Sequence, residues 1–299
     1  MRHSAVTFCF VTLTVGGCGD NQTHNPGLEP YGNPAPLVSC IPNLDGVITA
    51  AESTPVLGTR VDLRISPYVA PTEAPIRTVD NLGFVDGDGH RVWDWSQTDE
   101  QPEDRSATLR AEPIADKWFA SAFPEAGFVS PLDAAGKLYG VYSFDESALK
   151  LYGSASTEEA GPEGKTLLVY DVPVELFRFP LQVGKSWSQS VKVDAGIFHN
   201  APLLEDQEYE ITVASAGELR LPDFTFSQVL RVNTKVITSF RTGTTTKIGV
   251  RQTLFLFECF ATDVARSVSP QFYITDEMNT DLGPNFTVAQ EVRRLAPFE

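Results

Sequence analysis

The clearest pattern in the chain runs from Glu175 to Val193. Phe177, Phe179, Leu181 and Val183 alternate with Arg178, Pro180, Gln182 and Gly184, the period-two signature of a strand with one buried face. Gly184-Lys185-Ser186 interrupts the run, and Trp187, Val191 and Val193 resume it against Ser188, Ser190 and Lys192. The pattern predicts a β-hairpin turning at Gly184. Pro180 has no backbone N–H, so it fits an edge strand or a position turned off the ladder.

The same period recurs on both sides. Upstream, Gly83-Phe84-Val85, Asp86-Gly87-Asp88-Gly89 and His90 to Trp95 read as strand, tight turn and strand, because Asp-Gly is strong hairpin chemistry. Leu138, Gly140 and Tyr142 alternate, Asp145-Glu146-Ser147 turns the chain, and Leu149 and Leu151 lead on to Gly153. Ser154 to Gly164 reads as an acidic loop, and Thr166 to Tyr170 begins the strand that feeds the central hairpin. Downstream, Tyr209, Ile211 and Val213 form one face, then Leu230, Val232 and Val236, with a turn at Thr242-Gly243-Thr244. Leu254 to Phe257 is apolar on both sides, as in a central strand. Thr98 to Glu112 is rich in charge and reads as exposed. Pro113 to Ala120 fits either a helix with Pro in its first turn or a strand with Phe119, Ser121 and Phe123 on one face.

Successive strands with short turns predict a mostly β fold: an antiparallel meander forming a curved sheet, barrel or sandwich, with few short helices. The cadence Pro180-Leu181, Gly184, Trp187, Leu221-Pro222 and the late aromatic strand resembles β-domains of uncharacterised extracytoplasmic lipoproteins over about the last 130 residues. That resemblance implies no activity.

Composition agrees. Among 299 residues, Gly 22, Pro 21 and Phe 19 against Met 2 favour turn-linked strands over long helices. A formal charge of −16, with no basic stripe, argues against nucleic acid and against anionic lipid surfaces as partners.

The N-terminus is patterned differently. Met1-Arg2-His3 is a short basic start, and Ala5 to Val15 is an apolar run too short to span a bilayer, as in a secretory signal. Val15-Gly16-Gly17-Cys18 then resembles the lipobox of bacterial lipoproteins. The resemblance implies cleavage before Cys18, which then carries a diacylglycerol and an N-acyl chain such as palmitate and anchors the protein in the membrane. Gly19, where an Asp would retain a lipoprotein at the inner membrane, implies the outer membrane of a bacterial cell envelope. An ordinary secreted protein cut elsewhere is the alternative. Residues 18–38 are polar with Pro and Gly and read as a flexible tether; His24 lies in it. The expected organisation is therefore signal 1–17, tether 18–38 and body 39–299, the body divisible into 39–110 and 111–299.

With Cys9 in the signal and Cys18 lipidated, Cys40 and Cys259 remain. Outside the cytoplasm they form one disulfide or persist as two buried thiols. Beside Cys40, residues Asn43, Asp45, Gly46, Ile48 and Glu52 fall at positions 3, 5, 6, 8 and 12 of an EF-hand calcium loop, making Asn43, Asp45 and Glu52 candidate Ca2+ ligands. Ile41 holds the first position, where a carboxylate belongs, and Pro42 follows; the other reading is a turn at Asp45-Gly46. Asp86, Asp88 and His90 are spaced as ligands too, but Arg91 and Gln97 replace the Gly and Glu of such a loop.

Catalytic motifs are sparse. Past the signal there are three histidines, His24, His90 and His199, and neither His-Glu-x-x-His nor Gly-x-Ser-x-Gly occurs. Ser147 and Lys150 have Ser-x-x-Lys spacing on a strand-and-turn pattern, and Arg241-Thr242-Gly243 loosely matches Lys-Thr-Gly; chance explains both. Glu205-Asp206-Gln207-Glu208-Tyr209-Glu210 reads as a solvated strand edge. Two functions follow: a non-enzymatic module binding a hydrophobic ligand or an envelope protein, or a hydrolase of envelope or extracellular polymers using paired carboxylates about 5–10 Å apart.

Overall fold

A computed structural model describes residues 40–66, 77–97, 104–133, 135–241, 247–269, 272–274 and 283–297. The expected signal and tether, Cys18, His24 and the turn at Thr242-Gly243-Thr244 lie outside the described residues. Residues 38–299 form one compact unit.

The meander is present. Phe128–Pro131, Leu138–Phe144, Ala148–Ser156, Leu167–Arg178, Ser186–Phe198, Ala201–Arg220, Thr225–Phe240, Lys247–Leu256 and Ala265–Val268 follow one another as antiparallel neighbours in a sheet of 16 strands among the described residues. Glu291–Leu295, Arg60–Ser66 and Arg105–Arg110 extend it, so strands from before residue 110 and from the C-terminus share one sheet. The charged stretch expected to be exposed therefore includes a paired edge strand.

The sheet curls like a nearly closed barrel. Its first and last parts meet where Arg105–Arg110 lies beside Phe128–Pro131 and Arg293 Nη2 donates to Leu132 O at 2.6 Å. The inner face carries an apolar end, with Ile211, Val213, Leu230, Val232, Leu254 and Leu256 around Trp187 and Leu181. Beside it lie Leu151, Val174, Val191 and Tyr209 with Tyr142 and Tyr170.

Two outer layers cover the convex side. The predicted hairpin pairs Phe84 with Val92, and its second strand also runs parallel to Glu218–Arg220. It delivers Trp93 and Trp95 onto Phe255, each ring 5.0 Å away, and both indole N–H groups find backbone carbonyls, of Asn81 and Asp80. The Pro113–Ala120 ambiguity resolves as neither alternative: a two-residue strand is followed by turns and a 3-10 helix that press Phe119 and Phe123 onto Val129 and Val141.

The central hairpin differs from its pattern. The strand ends at Arg178, Phe179–Pro180 is cis, and Leu181–Gln182 leaves to pair with Val47–Ile48. Val183, expected on the buried face, is exposed. Pro173 lacks a donor in mid-strand, and side chains replace the missing ladder there. Gln189 gives its amide to Pro173 O and accepts from Glu175 N, while Trp187 Nε1 donates to Glu175 O.

Candidate functional site

The loop from Cys40 to Glu52 gathers the three candidate calcium ligands, and their oxygens face its own backbone. Asn43 Oδ1 accepts from Asp45 N and Asp45 Oδ1 from Val47 N, each at 2.8 Å. Glu52 Oε2 takes both Thr49 N and Thr49 Oγ1 at 2.7 Å. Asn43 and Asp45 accept from the backbone two residues onward, as such turns require, and Glu52 reaches back three residues to Thr49. Ile41, at the first ligand position, is 86% exposed. Among the described residues no three His, Cys, Asp or Glu side chains converge as a metal site.

The loop is fastened at its base. Cys40 and Cys259 are joined by a disulfide. Glu258, 2% exposed, accepts the backbone N–H groups of Asn43 and Leu44 on one oxygen at 2.8 Å each. A carboxylate held by backbone donors is a strong local clamp. No pattern in the sequence singled out Glu258; its only signal was adjacency to Cys259.

Ser147 and Lys150 do converge, on Asp145 rather than on each other. Ser147 Oγ donates to Asp145 Oδ1 at 2.5 Å and Lys150 Nζ to Oδ2 at 2.7 Å, which holds the Asp145 carboxyl well below its ordinary range. This is hairpin-turn chemistry, leaving the hydroxyl as a donor. His90 stands at a hairpin tip, 77% exposed, with Nδ1 3.7 Å from Asp86.

The acidic run contains the surprise. Glu205 is 4% exposed on the inner face, where Gln207 Nε2 donates to it at 2.7 Å. Tyr209 OH donates to Gln207 Oε1 at 2.7 Å, and Tyr170 OH lies 3.4 Å beyond. Burial pushes the Glu205 carboxyl above its ordinary value, and pushes Tyr170 and Tyr142 up to about 12. Alternation places Asp206 on the opposite face, where it pairs with Arg241 Nε at 3.1 Å. The neighbouring carboxylates therefore diverge.

At the rim of the curled sheet, Phe144, Leu149, Phe177, Phe179, Leu256 and Phe260 line an apolar notch of about 300 Å³, a volume that includes solvent at its mouth. Its sheltered part is about the size of one water molecule. The Phe179 ring packs at a tilt against Phe144, centroids 5.4 Å apart, where the chain turns toward Val47–Ile48.

Comparison with protein-family models, curated proteins and solved structures finds no match to this chain. Among the described residues, the chemistry available is therefore what these side chains supply: the inner-face carboxyl of Glu205, the carboxylates of Asp263 and Glu291 ion-paired with Arg266 and Arg293 near Tyr142, and an aromatic recess.

Proposed function

We propose that this chain is a non-enzymatic, lipid-anchored binding or structural module of the bacterial cell envelope, held in the outer membrane through Cys18. One observation supports the functional half of this reading: the aromatic notch at the rim is open and shallow, with a sheltered part no larger than one water molecule. Small-molecule sites usually enclose 300–1,000 Å³ in full; a notch this shallow suits a protein partner rather than an acyl chain. The anchor rests on the sequence Val15-Gly16-Gly17-Cys18.

Intact mass spectrometry of protein taken from its own membrane tests the anchor. A species beginning at Cys18 with added acyl mass is the expected result; an unacylated chain cut elsewhere overturns it.

Glu205 favours a second reading, hydrolysis of an envelope or extracellular polymer. A buried carboxyl held toward its neutral form has the character of a general acid. The reading requires a second carboxylate on the same face; Asp206 points away, and Asp263 and Glu291, near Tyr142 and Arg266, are ion-paired with Arg266 and Arg293. Polymer cleavage that disappears in Glu205→Gln would install this reading over the first.

A further inference from the structure

Arg231 lies at the middle of Thr225–Phe240, opposite Ser215 on one side and Phe255 on the other. Its side chain is on the face that alternation assigns to solvent, yet it is 5% exposed. Guanidinium groups keep their charge in proteins and bring five donors, so burial demands acceptors. Arg231 has one hydrogen bond, Nη2 to Asn285 Oδ1 at 2.9 Å, and its buried Nε has no partner. Directly across the ladder, the buried Oγ of Ser215 has none either. Opposed residues of antiparallel strands present their side chains to the same face.

The charges nearby leave a positive excess. Arg91 acts on Arg231 as a like charge and Asp80 opposes it. Asp80 Oδ1 is already committed to the backbone N–H groups of Leu82 and Gly83. Arg91 gives Nη1 to Leu82 O. Two guanidinium groups thus face one carboxylate in a protein whose overall charge is −16. A buried charge without full compensation is strongly destabilising, and among the described residues Asp80 is the carboxylate that opposes it.

We propose that Arg231, with Arg91 and Ser215, binds a small oxyanion of the phosphate class. The guanidinium fork matches a pair of phosphate oxygens, the Ser215 hydroxyl supplies a third donor, and Arg91, half-buried at the rim, closes over the ligand. The arrangement fits inorganic phosphate or a phosphate monoester, because a group 5% exposed admits only a terminal phosphate.

The test is thermal melting of the full chain in inorganic phosphate, in glycerol 3-phosphate and in chloride of equal ionic strength, for wild type, Arg231→Met and Arg91→Gln. Wild type is expected to melt about 5–10 °C higher at a hundredfold excess of phosphate over its Kd. Arg231→Met is expected to lose that rise and to melt in chloride no lower than wild type, since it removes an unpaired charge while keeping volume. If Arg231→Met fails to fold, Arg91→Gln decides: a phosphate affinity lowered about tenfold supports the site, and an unchanged one overturns it. Equal phosphate responses in wild type and Arg231→Met, or no phosphate-specific rise in wild type, overturn the proposal. A response to glycerol 3-phosphate as well as to free phosphate assigns a monoester ligand; a response to phosphate alone assigns the free ion.

Discussion

Replacing both Cys40 and Cys259 with Ala removes a cross-link between residues 219 positions apart. The chain-entropy argument assigns a loop of this length about 5 kcal/mol, because the unfolded chain is denied the conformations in which its ends are far apart. For a body of this size each kcal/mol is worth about 2–4 °C, so the double variant is expected to melt about 10–20 °C lower. The native fold is expected to persist. Glu258 still clamps Asn43 and Leu44, Val47–Ile48 still pairs with Leu181–Gln182, and Ile48 is 2% exposed. Cys259 has a φ of 69°, and Ala carries the same left-handed cost as Cys, so the substitution adds no new backbone strain. Calorimetry of wild type and the double variant gives the shift, and hydrogen exchange at Ile48 reports whether the loop stays docked. A variant melting within about 2 °C of wild type, with Ile48 equally protected, refutes the argument that the bridge acts on the unfolded chain.

Two further outcomes follow from single residues. A carboxyl whose folded pKa is raised, such as Glu205, contributes its stability fully below the ordinary value near 4.5 and loses it as pH rises through the folded value; Glu205→Gln is therefore expected to be about 1 kcal/mol more stable than wild type at pH 8 and to lose this advantage at pH 4, read by urea melts across pH. Gly153 has a φ of 143° at a bulge, and an added Cβ would stand 1.9 Å from Leu168 O; Gly153→Ala is expected to cost about 1–3 kcal/mol or more, measured by chemical denaturation.

The strands were legible where alternation was strict and both partners were local. Tyr209, Ile211 and Val213 are buried as their period predicts, and the Phe84–Val92 hairpin forms around its Asp-Gly turn. The bridge was legible as one of two outcomes once Cys9 and Cys18 were set aside. Long-range partners were not legible. Val47–Ile48 captures Leu181–Gln182 from more than 130 residues away, which bends the predicted central hairpin out of its period and exposes Val183. Glu205 reads as solvated in a run of six polar or acidic residues, because period-two spacing tells which residues share a face but not which face turns inward.

That same limit explains Arg231 and separates it from its neighbours. Alternation assigns Arg231, Asn233, Thr253, Ser267 and Arg294 to the outside, and all are buried because the segment from Val79 to Trp95, with Phe286 and Ala289, packs over that face. Burial of a polar group is tolerated when a partner meets it. Asn233 and Thr253 meet each other at 3.3 Å, Ser267 meets Asn81 at 2.9 Å, and Arg294 meets two carbonyls and the carboxylate of Asp104. Arg231 alone in this group carries a charge answered by a single amide oxygen. Packing pressure accounts for the others, since covering the face required only that each polar atom find a local mate. It does not account for a cation at a position where Met would fill the same space without charge, and an oxyanion does.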